Sequence, residues 1–219
     1  MKIDIVKTLD GSDTLYLEEI DEHYHSTFGA VQESLHVFIE AGFNHCDVKE
    51  ISILEIGFGT GLNCYLTLLS GLDSLKFVKY YTLEKYPLTK EVWSHLNFCA
   101  EDEKFKMFSR IHESRWNCDE SIHSRFVLHK IHADLLAWNT ESYPQFDLVY
   151  YDAFSPEKQP ELWDKAVFDS IWQKMNQNGI LVTYCAKGNV RRILQSLGFQ
   201  VERIPGPPGK REMIRAKKV

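Results

Sequence analysis

The segment Glu55-Ile56-Gly57-Phe58-Gly59-Thr60-Gly61 constrains this chain more than any other. It follows a β-branched apolar run at residues 51–56 and leads into an apolar stretch at 62–69 with helical spacing. Three glycines at alternate positions between a buried strand and a helix describe a turn whose backbone approaches something closely. Side chains there would block both the turn and the approach. A strand entering a helix through such a loop is the first unit of an open α/β sheet, and ligands of those sheets lie at the carboxyl ends of the strands.

The alternation continues along the chain. Further strands are predicted at 77–83, running up to Glu84, at 126–131 before Asp134, at 146–151 before Asp152, and at 180–185. Helices are predicted from Pro87, over 161–175 and over 189–197, and residues 199–204 and 212–216 close as an antiparallel pair. Continuous apolar strands alternating with helices predict a doubly wound, Rossmann-like α/β fold, mostly parallel, with an antiparallel C-terminal strand. Residues 46–219 form this domain. Residues 1–45 read as a small extension: a hairpin over 3–18 turning at Asp10-Gly11, then a helix over 26–41 with Ser26 or Thr27 as N-cap and Gly42 after its end. Residues 101–124 have no clear period and predict helix and loop.

Composition narrows the function classes. The 219 residues, 44% hydrophobic and 26% charged, suit one well-cored domain. No apolar run approaches the roughly 20 residues of a spanning helix, and Asp4 is too early for a secretory signal. Five scattered cysteines without a C-x-x-C pair read as reduced intracellular thiols, so a cytoplasmic protein is expected. The pairs His23/His25 and His129/His132 lack a carboxylate or cysteine at metal-ligand spacing, and no metal is expected. The net charge of −6 argues against nucleic-acid binding over the whole surface. It is unevenly spread: residues 187–219 carry nine basic side chains against two acidic ones, a balance of +7, which leaves −13 for the rest. A basic end on an acidic body is either a solvated tail or a phosphate-binding face.

The glycine loop has two familiar uses that it does not fit. Gly57 and Gly59 match the first positions of a dinucleotide fingerprint, but Leu62 stands where the third glycine belongs, and no G-K-[ST] completes a phosphate loop. The spacing is acid-x-G-x-G-x-G. A carboxylate heading a tight loop suits a compact cationic ligand and would repel a pyrophosphate. S-adenosylmethionine, with an amino group and a sulfonium, is such a ligand. On this reading Glu55, Gly57, Gly59 and Gly61 form its loop, Glu84 accepts both ribose hydroxyls, Asp134 meets the adenine amino group, and Asp152 stands beside the reacting methyl. One acid at a strand end is ordinarily a helix cap or a solvated residue. Three at successive strand ends behind this loop point to a cofactor site.

The segments Glu55–Asn63, Glu84-Lys85-Tyr86-Pro87-Leu88, Asp152-Ala153-Phe154-Ser155-Pro156 with Pro160, Glu161 and Trp163, and the ending from Arg191 to Met213 together carry a resemblance. The chain resembles the methyltransferase domain of the bifunctional wobble-uridine tRNA-modification family MnmC and its stand-alone form MnmD, over nearly its whole length. The resemblance implies methyl transfer from S-adenosylmethionine to the 5-aminomethyl group of (2-thio)uridine 34 in the tRNA anticodon. It adds Thr60, Asn63 and Lys85 to the cofactor site. It also implies Asp152 as the residue that orients the amine and handles its proton, with Phe154 and Pro156 walling the pocket. Lys187, Arg191, Arg192, Lys210 and Arg211 then become candidate contacts to anticodon-stem phosphates. Tyr24, His25 and Glu33 are expected to cap or pack, with reach to the mouth of the site as the alternative. No flavin-nucleotide fingerprint is present, so methyl transfer alone is expected. The competing readings are a small-molecule N- or O-methyltransferase and a non-catalytic tRNA-binding protein.

Overall fold

The computed structural model describes residues 2–99 and 102–219. Strands β1 (Ile3–Lys7) and β2 (Asp13–Leu17) form the expected antiparallel hairpin, joined by a two-residue strand β3 (Glu22–His23) that the sequence did not suggest. Helix α1 (Ala30–Ser34) continues as a π-helical segment, Leu35–Glu40. It starts later than expected, after Gly29, and neither Ser26 nor Thr27 caps it. Its free amides are satisfied from the hairpin turn instead: Ala30 N donates to Ser12 Oγ at 3.1 Å and Gln32 N to Asp10 Oδ2 at 3.0 Å. Such caps come from about twenty residues upstream, which local pattern cannot reveal. Gly42 is not a left-handed helix end, having φ −108°. It is small for packing reasons, since a Cβ there would stand 2.6 Å from the carbonyl oxygen of Phe38.

The main sheet is built from β4 (Glu50–Ile56), β5 (Phe77–Glu84), β6 (Asp119–His123), β7 (Phe126–His132), β8 (Phe146–Tyr151), β9 (Met175–Thr183), β10 (Phe199–Pro205) and β11 (Glu212–Lys218). They lie in the order β10-β11-β9-β8-β4-β5-β7-β6. The five central strands are parallel, and both edges are antiparallel. Helices α2 (Leu62–Asp73), α3 (Lys90–Trp93), α4 (Asp102–Glu113), α5 (Lys165–Gln173) and α6 (Gly188–Ser196) connect them.

The doubly wound fold is as expected, with local differences. β6 lies in the stretch read as helix and loop; it is a mostly polar edge strand with Ile122 as its one buried apolar residue, so it has almost no pattern to read. Pro87 does not open a helix; α3 begins three residues later, after Thr89. The expected 161–175 helix divides into a 3-10 turn at Pro160–Trp163 and α5, and Met175 already belongs to β9.

Each face of the sheet carries one apolar cluster. Leu15, Ala30, Val37 and Phe38 of the N-terminal segment pack in the same cluster as Ile53, Tyr65 and Tyr150 of the main domain. Trp163, Phe168, Ile171 and Leu194 cover the opposite face. The chain runs from β4 outward through β5 to β7, then returns to β8 on the other side of β4. That reversal opens a crevice at the carboxyl ends of β4 and β8, where ligands of such sheets bind.

Candidate active site

The glycine loop caps that crevice. Gly57, Gly59 and Gly61 have φ of 89°, 50° and 74°, conformations that other residues adopt only with strain. A Cβ on Gly57 would stand 2.7 Å from the carbonyl oxygen of Asp152, because the backbones of the two strand ends nearly touch: Asp152 N donates to Ile56 O at 3.1 Å. The loop rests on an aromatic floor. His112 stacks on Trp93, 4.6 Å between ring centroids, and its Nε2 lies 3.0 Å from the carbonyl oxygen of Thr60. Burial draws the His112 pKa down to about 3, so the ring is neutral and Nε2–H donates to that carbonyl.

Above the loop is a cavity of about 580 Å³. Gly57, Gly59, Thr60 and Asn63 form its base, and the ends of β5 and β8 form two of its sides. Glu84 sits at the end of β5 with one carboxylate oxygen held by Gly59 N at 3.0 Å and the other by Tyr86 N at 2.8 Å. Each oxygen has a second lone pair, and Glu84 lines the cavity, so a vicinal diol can still be accepted bidentately. Asp134 and Lys85 also line the cavity and pair with each other at 2.8 Å; Lys85 and the amide of Leu136 together hold the Asp134 carboxyl below its usual range. Phe58, Leu83 and Leu135 supply apolar wall between these polar groups.

Glu55 and Gly61 are placed otherwise. Glu55 is fully buried behind the loop and outside the cavity lining, with Oε2 accepting from Thr82 Oγ1 at 2.5 Å. Burial, with Asp152 as a like-charged neighbour, raises its pKa well above the ordinary carboxylate range, and Glu55 does not face the cavity as a counter-charge. The Asn63 amide stands within reach of it, and Glu55 Oε1 and Asn63 Oδ1 are both buried acceptors without a partner among the described residues. The Tyr80 hydroxyl, also buried, stands beside the same Glu55 carboxyl. Gly61 also lies outside the lining and serves as the N-cap of α2.

At the β8 end, Asp152 accepts from Asn63 Nδ2 at 2.8 Å. Burial and the nearby Glu33 carboxylate push its pKa up to about 7, against the Asn63 hydrogen bond and the Lys210 charge, which pull down. The N-terminal segment closes this end. Glu33, Tyr24 and His25 line the cavity, as does Lys210 from the β10–β11 turn. Lys210 Nζ is 2.6 Å from Glu33 Oε1 and 3.9 Å from the centre of the Tyr184 ring. Tyr24 meets Phe154 edge to face at 5.1 Å, and Trp163 Nε1 fixes the Phe154 carbonyl at 2.8 Å. Phe154 lines the cavity, whereas Pro156, expected to wall it, does not. Glu22 of β3 binds the Ser155 hydroxyl at 3.0 Å and so ties the extension to the segment after β8. Tyr184 is a lining residue the sequence left unassigned, and Glu33 reaches the site where a capping or packing role was expected. A buried acid on a five-residue helix and a tyrosine after a strand carry no local signal.

The basic candidates separate. Lys187, Arg192 and Arg211 are exposed, Arg191 is half-buried, and Lys187 pairs with Glu157. The start of α6 and the β10–β11 turn lie at the carboxyl end of β9, the edge that also carries the cavity. Lys210 turns inward. Among the described residues no three metal-ligating side chains assemble, and no helix is long and apolar enough to cross a membrane.

The glycine cradle that a Cβ would fill, the diol-ready Glu84 and the mixed apolar wall fit S-adenosylmethionine. Comparison with known proteins points the same way. Residues 99–219 match a family model described as S-adenosyl-L-methionine-dependent methyltransferase. The crystal structure of MNMC2 from Aquifex aeolicus superimposes with a TM-score of 0.80 at 29% identity, covering 98% of this chain and 70% of that one. The bifunctional tRNA 5-methylaminomethyl-2-thiouridine biosynthesis protein MnmC of Aeromonas hydrophila is 30% identical over 228 residues, and its counterpart in Actinobacillus pleuropneumoniae is 28% identical over 235. These alignments cover 91% and 96% of this chain, which spans about a third (33% and 34%) of those relatives' length. DesVI of Streptomyces venezuelae, at 11% identity and a TM-score of 0.51, shares the fold. With more than half its length matched by the family model, the chain belongs to the S-adenosyl-L-methionine-dependent methyltransferases, and S-adenosylmethionine is its methyl donor.

Proposed function

We propose that this methyltransferase N-methylates the 5-aminomethyl group of wobble (2-thio)uridine 34 in tRNA, giving 5-methylaminomethyl(-2-thio)uridine. The observation that carries the reading is Asp152: a carboxyl at the switch point of the sheet, held by Asn63, with a pKa raised to about 7. A primary alkylamine is mostly protonated near neutral pH and has no lone pair to offer. A base with a pKa near 7 takes that proton in a usable fraction of encounters, where an ordinary carboxylate would be a weaker acceptor. The bound cofactor supplies an electrophilic methyl group on sulfur. Asp152 accepts hydrogen bonds from the amine and aims its lone pair, and Tyr24, Phe154 and the N-terminal segment exclude water around it.

The RNA side of the reading is supported by Lys187, Arg191, Arg192 and Arg211, which flank the cavity at one edge of an otherwise acidic chain. Phe154, on the cavity wall, offers an aromatic partner to an unstacked uracil. The names of the relatives, which refer to tRNA 5-methylaminomethyl-2-thiouridine biosynthesis, agree. In this reading residues 1–45 act as a roof over the acceptor end, residues 46–219 as the catalytic domain, and the setting is cytoplasmic.

The test uses purified protein, labelled S-adenosylmethionine and tRNA from cells accumulating 5-aminomethyluridine. Label is expected on the wobble nucleoside of that tRNA and absent from tRNA lacking the aminomethyl group. Equal labelling of both, or transfer to free small amines with no need for RNA, would remove the tRNA substrate.

A further inference from the structure

Lys210 is the one cationic side chain of the basic ending that lines the cavity. Its surroundings are a built cation site: the Glu33 carboxylate at 2.6 Å and the face of Tyr184 at 3.9 Å, with Asp152 lining the same cavity. Each wall is fixed independently of Lys210. Glu33 is buried on α1, its second oxygen held by Ser26 N at 2.7 Å. Tyr184 donates its hydroxyl to Ala153 O at 2.8 Å, which sets the plane of its ring. Asp152 is held by Asn63.

Lysine ends in a methylene bearing an ammonium, the same chemical group as a protonated aminomethyl substituent. Whatever seats the end of Lys210 also suits the acceptor. We propose that Glu33, Tyr184 and Asp152 form the subsite for the acceptor's ammonium group, and that Lys210 fills this subsite until the acceptor displaces it. The proposal rests on reading the acceptor as a primary amine and goes further by naming what selects it.

Lys210 is suited to leaving. Its backbone is pinned in the β10–β11 turn, where Lys210 N donates to Pro207 O at 2.9 Å and Gly209 packs so tightly on Phe28 that a Cβ would stand 2.3 Å from that ring. Its side chain, by contrast, is one-third exposed and unbranched, so it can swing outward without moving the turn. Discrimination follows from charge. An acceptor with a neutral hydroxyl would leave the buried Glu33 carboxylate unpaired, and one ending in a carboxylate would meet Glu33 and Asp152 as like charges. The site therefore takes a substituent that ends in an ammonium and disfavours one that ends in a carboxylate.

The experiment measures equilibrium binding of two anticodon stem-loop RNAs, one with 5-aminomethyluridine and one with plain uridine at the wobble position. It is run with S-adenosylhomocysteine present, so that no turnover occurs. Wild-type protein is expected to prefer the aminomethyl RNA by about tenfold or more, the worth of a charge-assisted hydrogen bond. Glu33→Gln keeps the acceptor for Ser26 N and is expected to lose most of that preference while binding the plain RNA as before. Lys210→Met is expected to bind the aminomethyl RNA several-fold more tightly, since the stand-in is gone. If Lys210→Met instead weakens both RNAs equally, Lys210 is a phosphate contact and the subsite is overturned; an unchanged preference in Glu33→Gln overturns it too. Binding preference without methylation of the same RNA would refute the proposed reaction and leave the subsite standing. Thermal melts of both variants confirm the fold.

Discussion

Asn63 Nδ2 donates to Asp152 Oδ2 at 2.8 Å, and this hydrogen bond joins the first turn of α2 to the end of β8. The two residues are 89 positions apart, and their meeting joins the glycine-loop side of the cavity to its β8 side. It orients the Asp152 carboxyl while leaving its other oxygen available.

Asp152 ionises through neutral pH, so turnover is expected to rise with pH around its pKa of about 7 and to level off above it. Asp152→Asn should lower the rate by about 100-fold or more, in the range of a lost general base, with cofactor affinity changed only several-fold. Single-turnover kinetics and calorimetry with S-adenosylhomocysteine separate the two. A wild-type rate in Asp152→Asn would remove the residue from the chemistry.

The same group predicts a stability effect of definite sign. Its folded pKa lies above the unfolded value, so the folded state binds the proton more tightly and stability falls as pH rises from about 4 to about 7. Asp152→Asn should therefore melt at a higher temperature than wild type at pH 8 and near it at pH 4, both without ligand. Melting curves at the two pH values read this directly.

Burial disfavours the charged form of Glu55, so its amide isostere should replace it. Glu55→Gln can donate toward Asn63 and accept from Thr82, so cofactor affinity and stability are expected within several-fold and about 1 kcal/mol of wild type. Glu55→Ala should cost about 2–4 kcal/mol through the cavity and the unpaired Thr82 hydroxyl. Loss of cofactor binding in Glu55→Gln at full stability would restore the counter-charge role.

Gly57→Ala places a methyl group 2.7 Å from the Asp152 carbonyl at a backbone φ of 89°. The strain, about 1–3 kcal/mol, falls on the contact between β4 and β8. Cofactor affinity should drop more than global stability, as titration calorimetry alongside denaturant unfolding would show.

Replacing Lys187, Arg192 and Arg211 together with Gln should weaken binding to modified and unmodified RNA alike. It should also reduce the salt dependence of binding by roughly one unit of log–log slope for each phosphate that is no longer neutralised. An unaltered slope would place the RNA elsewhere.

The glycine loop, the five parallel strands β4, β5, β7, β8 and β9, and the acids after β5, β7 and β8 were legible because each depends on short-range pattern. A strand buried on both faces must be continuously apolar, and a glycine at positive φ must be glycine. Glu84 and Asp134 followed from strand ends alone. The edge strand β6, the true start of α1 and the small size of Gly42 were not legible, since each answers to a partner distant in sequence or in the fold: β7, the Asp10–Ser12 turn and the Phe38 carbonyl.

By itself the sequence determined the parallel centre of the sheet, the glycine loop and the place of Asp152 at a strand end, because propensity, periodicity and spacing are local. Tertiary structure decided their roles. It buried Glu55 behind the loop it heads, where desolvation disfavours its charge, and raised the Asp152 pKa by burial beside Glu33. It also turned Lys210 from the expected phosphate-binding surface into the cavity, against Glu33. Charge state and partner depend on solvent exclusion and on residues brought together across the chain, and neither is written in any one segment.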